Sequence, residues 1–159
     1  MQTQTVEVYI NVAQDAESKL YDGEPKFTGE VVLRALAADG AMLHEAQMIL
    51  PNLDVTTSDY ARLVVLVAVL ERLHTKLHGD QAGYALRVMQ SSNNVEGWLA
   101  RGFKRNSDKV KELAGAVDSL LKLFPRREFV KLPRAELEAA MRAKEARHAQ
   151  ENGKTLGTV

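Results

Sequence analysis

Near the start of the chain Val6, Val8, Ile10 and Val12 alternate with Glu7, Tyr9 and Asn11. A period of two is that of a strand with one face against a core. Two more strand-like runs follow, Glu30 to Ala37 and Ala41 to Leu50, joined by Ala38-Asp39-Gly40, where Asp-Gly supplies the positive φ of a tight turn. Three antiparallel strands are therefore predicted. The polar stretch from Asp15 to Thr28, with Asp22-Gly23 and Pro25, reads as a long connection between the first two. Connections of that length are often functional.

The remainder alternates helix and strand. Thr57 or Ser58 can cap a helix on which Leu63, Leu66, Val67, Leu70, Leu73 and Leu77 recur at helical spacing, with Val64, Val65, Ala68 and Val69 on its other faces. Such a helix is expected to be buried on most sides. After His78-Gly79-Asp80, Ala85 to Met89 reads as a fourth strand, and the intervening helix allows it to pair in parallel with the first. A short helix from Asn93 to Leu99 and an amphipathic one from Ser107 to Phe124, stopped by Pro125, follow. Glu128 to Leu132 is a fifth strand. Pro133 sits at a helix start, Arg134 to Gln150 is a peripheral helix with Glu138 and Arg142 at i, i+4, and 151–159 is a tail. The prediction is a single α/β domain over 1–150, with a mixed five-stranded sheet flanked by helices.

Composition narrows the function. Lys+Arg and Asp+Glu both number 21, so the net charge is zero and any attraction to nucleic acid has to be local. No cysteine is present, which excludes disulfides, thiolate zinc sites and cysteine nucleophiles and fits a reducing, cytoplasmic setting. The polar start Met1-Gln2-Thr3-Gln4-Thr5 is no secretory signal, and the apolar run Leu63 to Leu70 is far short of the roughly 20 residues of a membrane span.

Four stretches carry a resemblance. Thr56-Thr57-Ser58-Asp59-Tyr60-Ala61-Arg62-Leu63 is similar to a Thr-x-Asn-x-x-Ala-Glu stretch at a central helix start, and Val88-Met89-Gln90-Ser91-Ser92 to a strand end that carries Asp-Ser. Gly102-Phe103-Lys104-Arg105-Asn106 resembles an aromatic-plus-basic backbone grip, and Phe129-Val130-Lys131-Leu132-Pro133-Arg134 a His-Val-Pro-Arg junction. With the order of elements, these make the chain resemble the ribonuclease H family over nearly its whole length.

Enzymes of that family hold two divalent cations with four acids, because hard Mg²⁺ wants oxygen ligands and the developing phosphate charge needs neutralising. The resemblance carries the strand-one acid to Asn11, the central-helix acid to Arg62, the strand-four acid to Ser91 and the last-helix acid to Met141. None is a carboxylate. Arg62 puts a fixed cation where metals would sit, and Met141 is a soft thioether. Recovering the set from Asp15, Asp59, Glu136 and Glu138 would require several slips at once, onto helix faces expected to point different ways. The resemblance thus implies a pseudo-enzyme with no cofactor and no catalytic residues.

Arg62 has two readings: an anion-binding guanidinium that replaces the metal charge, or a structural partner of Asp59 at an exposed helix end. Arg101, Lys104 and Arg105, together with Lys109 and Lys111, could contact phosphates with Phe103 or Trp98 beside a sugar or base, or line a solvated helix edge with both aromatics in the core. A second basic group, Lys122, Arg126, Arg127, Lys131 and Arg134, either continues the first or lies on the far side of the sheet. His74 and His78 stand at i, i+4 without an evident third ligand, and Ser91-Ser92-Asn93-Asn94 reads as a strand end and helix cap. Two functions follow: a non-cleaving nucleic-acid-binding module or nucleoprotein subunit that uses Arg62, Arg101, Phe103, Lys104 and Arg105, or a scaffold for a protein partner or homodimer.

Overall fold

The computed structural model describes residues 3–15 and 26–142. Five strands, β1 (Gln4–Gln14), β2 (Phe27–Leu36), β3 (Met42–Leu53), β4 (Tyr84–Gln90) and β5 (Arg126–Lys131), form one sheet in the order β3-β2-β1-β4-β5. The first three are antiparallel, while β4 and β5 run parallel to β1, as the intervening helices require. Helix α1 (Ser58–Lys76), α2 (Asn93–Ala100) and α3 (Asp108–Leu121) follow the order anticipated, and residues 134–142 form α4. None of the described helices is long and apolar enough to cross a membrane.

Local chemistry sets the boundaries. Thr57, Ser92 and Ser107 each accept a hydrogen bond from the backbone N–H three residues on, at 3.1, 3.2 and 3.1 Å, and so start α1, α2 and α3. In the β2–β3 turn Gly40 adopts φ 90° and Asp39 accepts from the Ala41 N–H at 2.9 Å. Phe27 and Thr28, assigned to the connection by sequence, belong to β2. The Asp15 N–H donates to the Lys26 carbonyl at 2.8 Å and the Thr28 hydroxyl to the Asp15 carboxylate at 2.6 Å, so pairing extends to the last described residues on both sides. The rest of that connection, the continuation of the last helix to Gln150 and the tail lie outside the described residues.

Both faces of the sheet are covered. On one, Val6, Val8, Ile10 and Val12 join Leu63, Leu66 and Leu70 of α1, and Val117 and Leu121 of α3. No residue of α1 from Ser58 to Leu70 is exposed. The other face differs from expectation: Glu7, Tyr9 and Asn11 are buried too, because α4 sets Leu137 and Met141 against Tyr9, Val32 and Met89. The last helix is thus anchored rather than peripheral.

Register turns this second face into a charge ladder. Glu128, Arg87, Glu7, Arg34 and Glu45 stand side by side across all five strands, alternating in sign. The ion pairs Arg34–Glu45, Arg87–Glu7 and Arg87–Glu128 measure 2.6, 3.2 and 3.3 Å. Arg34 is wholly buried, lies 4.7 Å over the Tyr9 ring, and donates to the Ala140 and Met141 carbonyls at 3.3 and 2.9 Å, tying α4 to the sheet.

Candidate functional site

The C-terminal ends of β1 and β4 meet the first turn of α1, and polar groups gather there. Arg62 is only 7% exposed. Its Nη1 donates to Ser58 Oγ at 3.2 Å and to Asp59 Oδ1 at 3.1 Å, and its Nη2 to Ser91 Oγ at 3.4 Å. Nε is buried without a partner. Arg62 pairs with Asp59, as the structural reading expects, but in a buried position rather than at an exposed helix end. Burial pushes its guanidinium down from the ordinary value, Asp59 draws it back up, and nearby Arg134 lowers it again.

Asp59 is the hub. Besides Arg62 it accepts from Ser92 Oγ at 2.6 Å and Asn94 Nδ2 at 3.1 Å, which locks the first turn of α1 to that of α2. Gln90, fully buried at the end of β4, spends its amide on the Ser92 backbone, accepting from N at 2.6 Å and donating to O at 2.9 Å. Ser91 and Ser92 are held by these bonds as a strand end and cap, with Ser91 turned to Arg62.

From α4 it is Glu138 that hydrogen-bonds to Asn11, while Met141 lines a cavity beside both. Asn11 Nδ2 donates to Glu138 Oε1 at 3.2 Å, whereas Met141, one turn on, packs in the second core. The last helix thus brings a carboxylate to Asn11 as well as the expected thioether. Helix phase explains the difference: Leu137 and Met141, four apart, take the inner stripe, and Glu138 falls at its rim. Glu138 is also bonded to Arg134 at 3.0 Å and lies 3.9 Å from Arg142. Asn11 Oδ1 is buried without a partner. Among the described residues no three His, Cys, Asp or Glu side chains gather so as to hold a metal ion.

The Arg134 hydrogen bond, followed by that from Asn11, holds the Glu138 carboxyl below its ordinary value. A depressed carboxylate adds stability above its unfolded-state value and loses it as pH falls through the folded one. We therefore expect a carbon-detected NMR titration to place Glu138 below a free glutamate, and Arg134→Ala to move it upward. An unchanged midpoint in that variant would refute the assigned cause.

Two cavities flank the first turn of α1, and Thr57 lines both. One, of about 470 Å³, is bordered by Arg62, Arg134, Ser58, Thr56 and Gln14. The other, of about 290 Å³, is bordered by Asp59, Tyr60, Trp98, Lys104, Asn106 and Ser107. Of the predicted basic stretch, only Lys104 opens onto this surface. Arg105 is a strut, donating to the Trp98 carbonyl at 2.7 Å and pairing with Asp118 at 2.8 Å. Arg101 pairs with Glu96 at 3.6 Å and lies 5.2 Å over the Phe103 ring. Phe103 is half-exposed with its ring against Gly97, and Trp98 packs partly on the core.

The second basic group is divided: Arg134 borders the cavity beside Arg62, whereas Arg126 and Arg127 lie away from it. Arg126 bonds Thr3 Oγ1 and the Ala82 carbonyl, at the opposite end of the parallel strands, and Arg127 bonds the Phe124 carbonyl. His74 is engaged by the Gln81 side chain. From sequence Arg134 reads only as part of the second basic group and Glu138, as a site residue, only as an acid reachable by a slip; helix phase brings Glu138 to Asn11 with Arg134 bonded to it.

No protein-family model and no curated protein matches the sequence. Solved structures do match. Ribonuclease H1 from the halophilic archaeon Halobacterium salinarum is 19% identical, with 86% of this chain and 93% of that one covered at a TM-score of 0.59. The N-terminal ribonuclease H domain of a Mycobacterium tuberculosis protein is 18% identical, over 84% and 91% of the chains, at 0.56. LC11 ribonuclease H1, isolated from compost by a metagenomic approach and solved in complex with an RNA/DNA hybrid, is 17% identical, over 83% and 88%, at 0.58. Together with the strand order and the placement of α1 and α4, these likenesses establish that the chain has the ribonuclease H fold.

Proposed function

We propose that the chain binds nucleic acid across the first turn of α1 without cleaving it, as a binding module or as a subunit of a nucleoprotein assembly. The observation that carries this reading is the buried Arg62 guanidinium, at the position where the family resemblance expects a metal-holding carboxylate. A fixed cation there repels a divalent ion and attracts a phosphate oxygen. Arg62 and Arg134 border one cavity and bring two cations to a phosphate there, while Lys104, Asn106 and Ser107 extend the surface past Tyr60 and Trp98. That LC11 ribonuclease H1 was solved with an RNA/DNA hybrid supports the hybrid as the first ligand to try. With zero net charge, affinity has to come from these few contacts.

The test is one assay scored twice, for binding and for cleavage, on RNA/DNA hybrid, duplexes and single strands with Mg²⁺ or Mn²⁺ present. The hybrid is expected to be bound and left intact, with affinity falling steeply as salt rises. Arg62→Gln and Lys104→Glu should each weaken binding by roughly ten- to a hundredfold, since a charge-assisted contact is worth roughly 1.5–3 kcal/mol. Lys104 is the better target than Arg105, whose substitution would release Asp118 and Trp98 instead of testing contact. Cleavage, or the absence of any binding, would overturn the reading.

A further inference from the structure

The two cavities beside the first turn of α1 differ in chemistry. The one bordered by Arg62 and Arg134 has no carboxylate in its lining, which suits a phosphate. The one bordered by Trp98 includes the Asp59 carboxylate, with Tyr60, Lys104, Asn106 and Ser107 around it. A carboxylate accepts hydrogen bonds and cannot donate them, so this second lining disfavours a phosphate and favours N–H donors. Its walls are set in advance. Asp59 Oδ1 is fixed by Arg62 and Ser92 at 3.1 and 2.6 Å, while Oδ2 accepts from the exposed Asn94 and keeps lone-pair capacity for a further donor. The Tyr60 hydroxyl is hydrogen-bonded to Ser107 at 3.2 Å, and the Trp98 carbonyl is held by Arg105 at 2.7 Å. Both aromatic residues are half-buried.

Aromatic residues beside a fixed acceptor meet the needs of an unpaired nucleobase, which has a ring to cover and a Watson–Crick edge to satisfy. At about 290 Å³ the cavity is at the small end of ligand sites, room for one base rather than for a duplex. In a duplex or a hybrid that edge is already paired and the ring stacked, so a base enters only from a single-stranded segment. Among the common bases guanine alone sets two N–H donors, N1 and N2, side by side on this edge; adenine, cytosine and uracil each place an acceptor beside the donor, which a carboxylate opposes. Resting on the nucleic-acid reading above, we propose that the cavity bordered by Asp59, Tyr60 and Trp98 takes an unpaired guanine, while a phosphate of the same strand lies by Arg62 and Arg134. Thr57 lines both cavities, so one strand crossing the first turn of α1 meets the two in succession. The preferred ligand is then a single strand, or a hybrid with a single-stranded overhang, instead of a blunt hybrid.

The test varies the ligand and leaves the chain intact. Affinity is measured for a blunt RNA/DNA hybrid and for the same hybrid with an overhang that is abasic except at one position, which carries each base in turn. Guanine there is expected to bind about tenfold tighter than the fully abasic overhang or the blunt hybrid, and tighter than adenine, cytosine or uracil. Inosine, which keeps N1–H but lacks the exocyclic amine, should lose most of that preference. Trp98 is the only tryptophan of the chain, so its fluorescence reports on this cavity and should change with the guanine overhang but not with the abasic one. Guanosine monophosphate alone should bind far more weakly than the strand. Equal affinity for blunt, abasic and guanine-bearing hybrids, or for the four bases, would overturn the proposal and leave non-cleaving nucleic-acid binding standing. Guanosine monophosphate binding as tightly as the strand would make this a free-nucleotide site and overturn it too, whereas no binding of any of these ligands would overturn both readings.

Discussion

Replacing Arg34 by methionine is expected to lower the unfolding free energy by about 3–5 kcal/mol, the range for removing one partner of a buried ion pair. Arg34 has no solvent to fall back on: its Nε is bonded to Glu45, and its two terminal nitrogens to the Ala140 and Met141 carbonyls. Methionine keeps the stem but leaves Glu45 without its cation and two carbonyls without donors. Glu7 suffers less, since Arg87 and the Tyr9 hydroxyl still hold it at 3.2 and 3.1 Å. Urea unfolding monitored by circular dichroism should show the midpoint falling with little change in slope. Adding Glu45→Leu to Arg34→Met should recover part of the loss, because the uncompensated carboxylate is then gone. A loss under about 1 kcal/mol for the single change would mean that the ladder is too solvated to matter.

Gly97→Ala is expected to destabilise the fold by about 1–3 kcal/mol, even though alanine is the better helix former. A Cβ at position 97 would stand 1.9 Å from Phe103 Cδ2 and 2.2 Å from Cε2. The ring cannot simply withdraw. Gly102 takes φ 71°, which turns the chain back over α2 so that the Phe103 N–H reaches the Gly97 carbonyl at 2.8 Å. Displacing the ring moves Lys104 with it, so nucleic-acid affinity should fall along with stability. Phe103→Ala in the Gly97→Ala background removes the clash and should return part of the stability lost. If Gly97→Ala alone were neutral, Phe103 would not be seated as described.

The order of elements was readable because each rests on local chemistry: alternation in β1, the apolar stripe and caps of α1 and α3, Asp39-Gly40 in the β2–β3 turn. Long-range arrangements were not. Glu7, Arg34, Glu45, Arg87 and Glu128 look like ordinary surface charges on separate strands, and only the register brings them into line. Glu7 and Asn11 read as a solvated face because nothing local announces that Leu137 and Met141 will cover them. The same gap affected the candidate site. Arg62 and Ser91 were singled out and do meet, but the choice between Glu138 and Met141 depends on the phase of a helix. Of the run 101–105, the strut role of Arg105 depends on Asp118, in a different helix.

The charge ladder also bears on how the chain avoids misassembly. Strands that keep their apolar face inward can mispair only by an even number of residues. A two-residue slip of β2 along β1 would put Glu7 opposite Val32 and Arg34 opposite Thr5, or Glu7 opposite Leu36 and Arg34 opposite Tyr9, stranding two charges among apolar or neutral neighbours. The apolar side chains, nearly all Val, Leu and Ile, would tolerate such a slip with modest loss, so by themselves they define the register only weakly. Five alternating charges make every slipped sheet expensive and the native one self-consistent. Their larger contribution is then to the energy gap between the native register and its slipped copies.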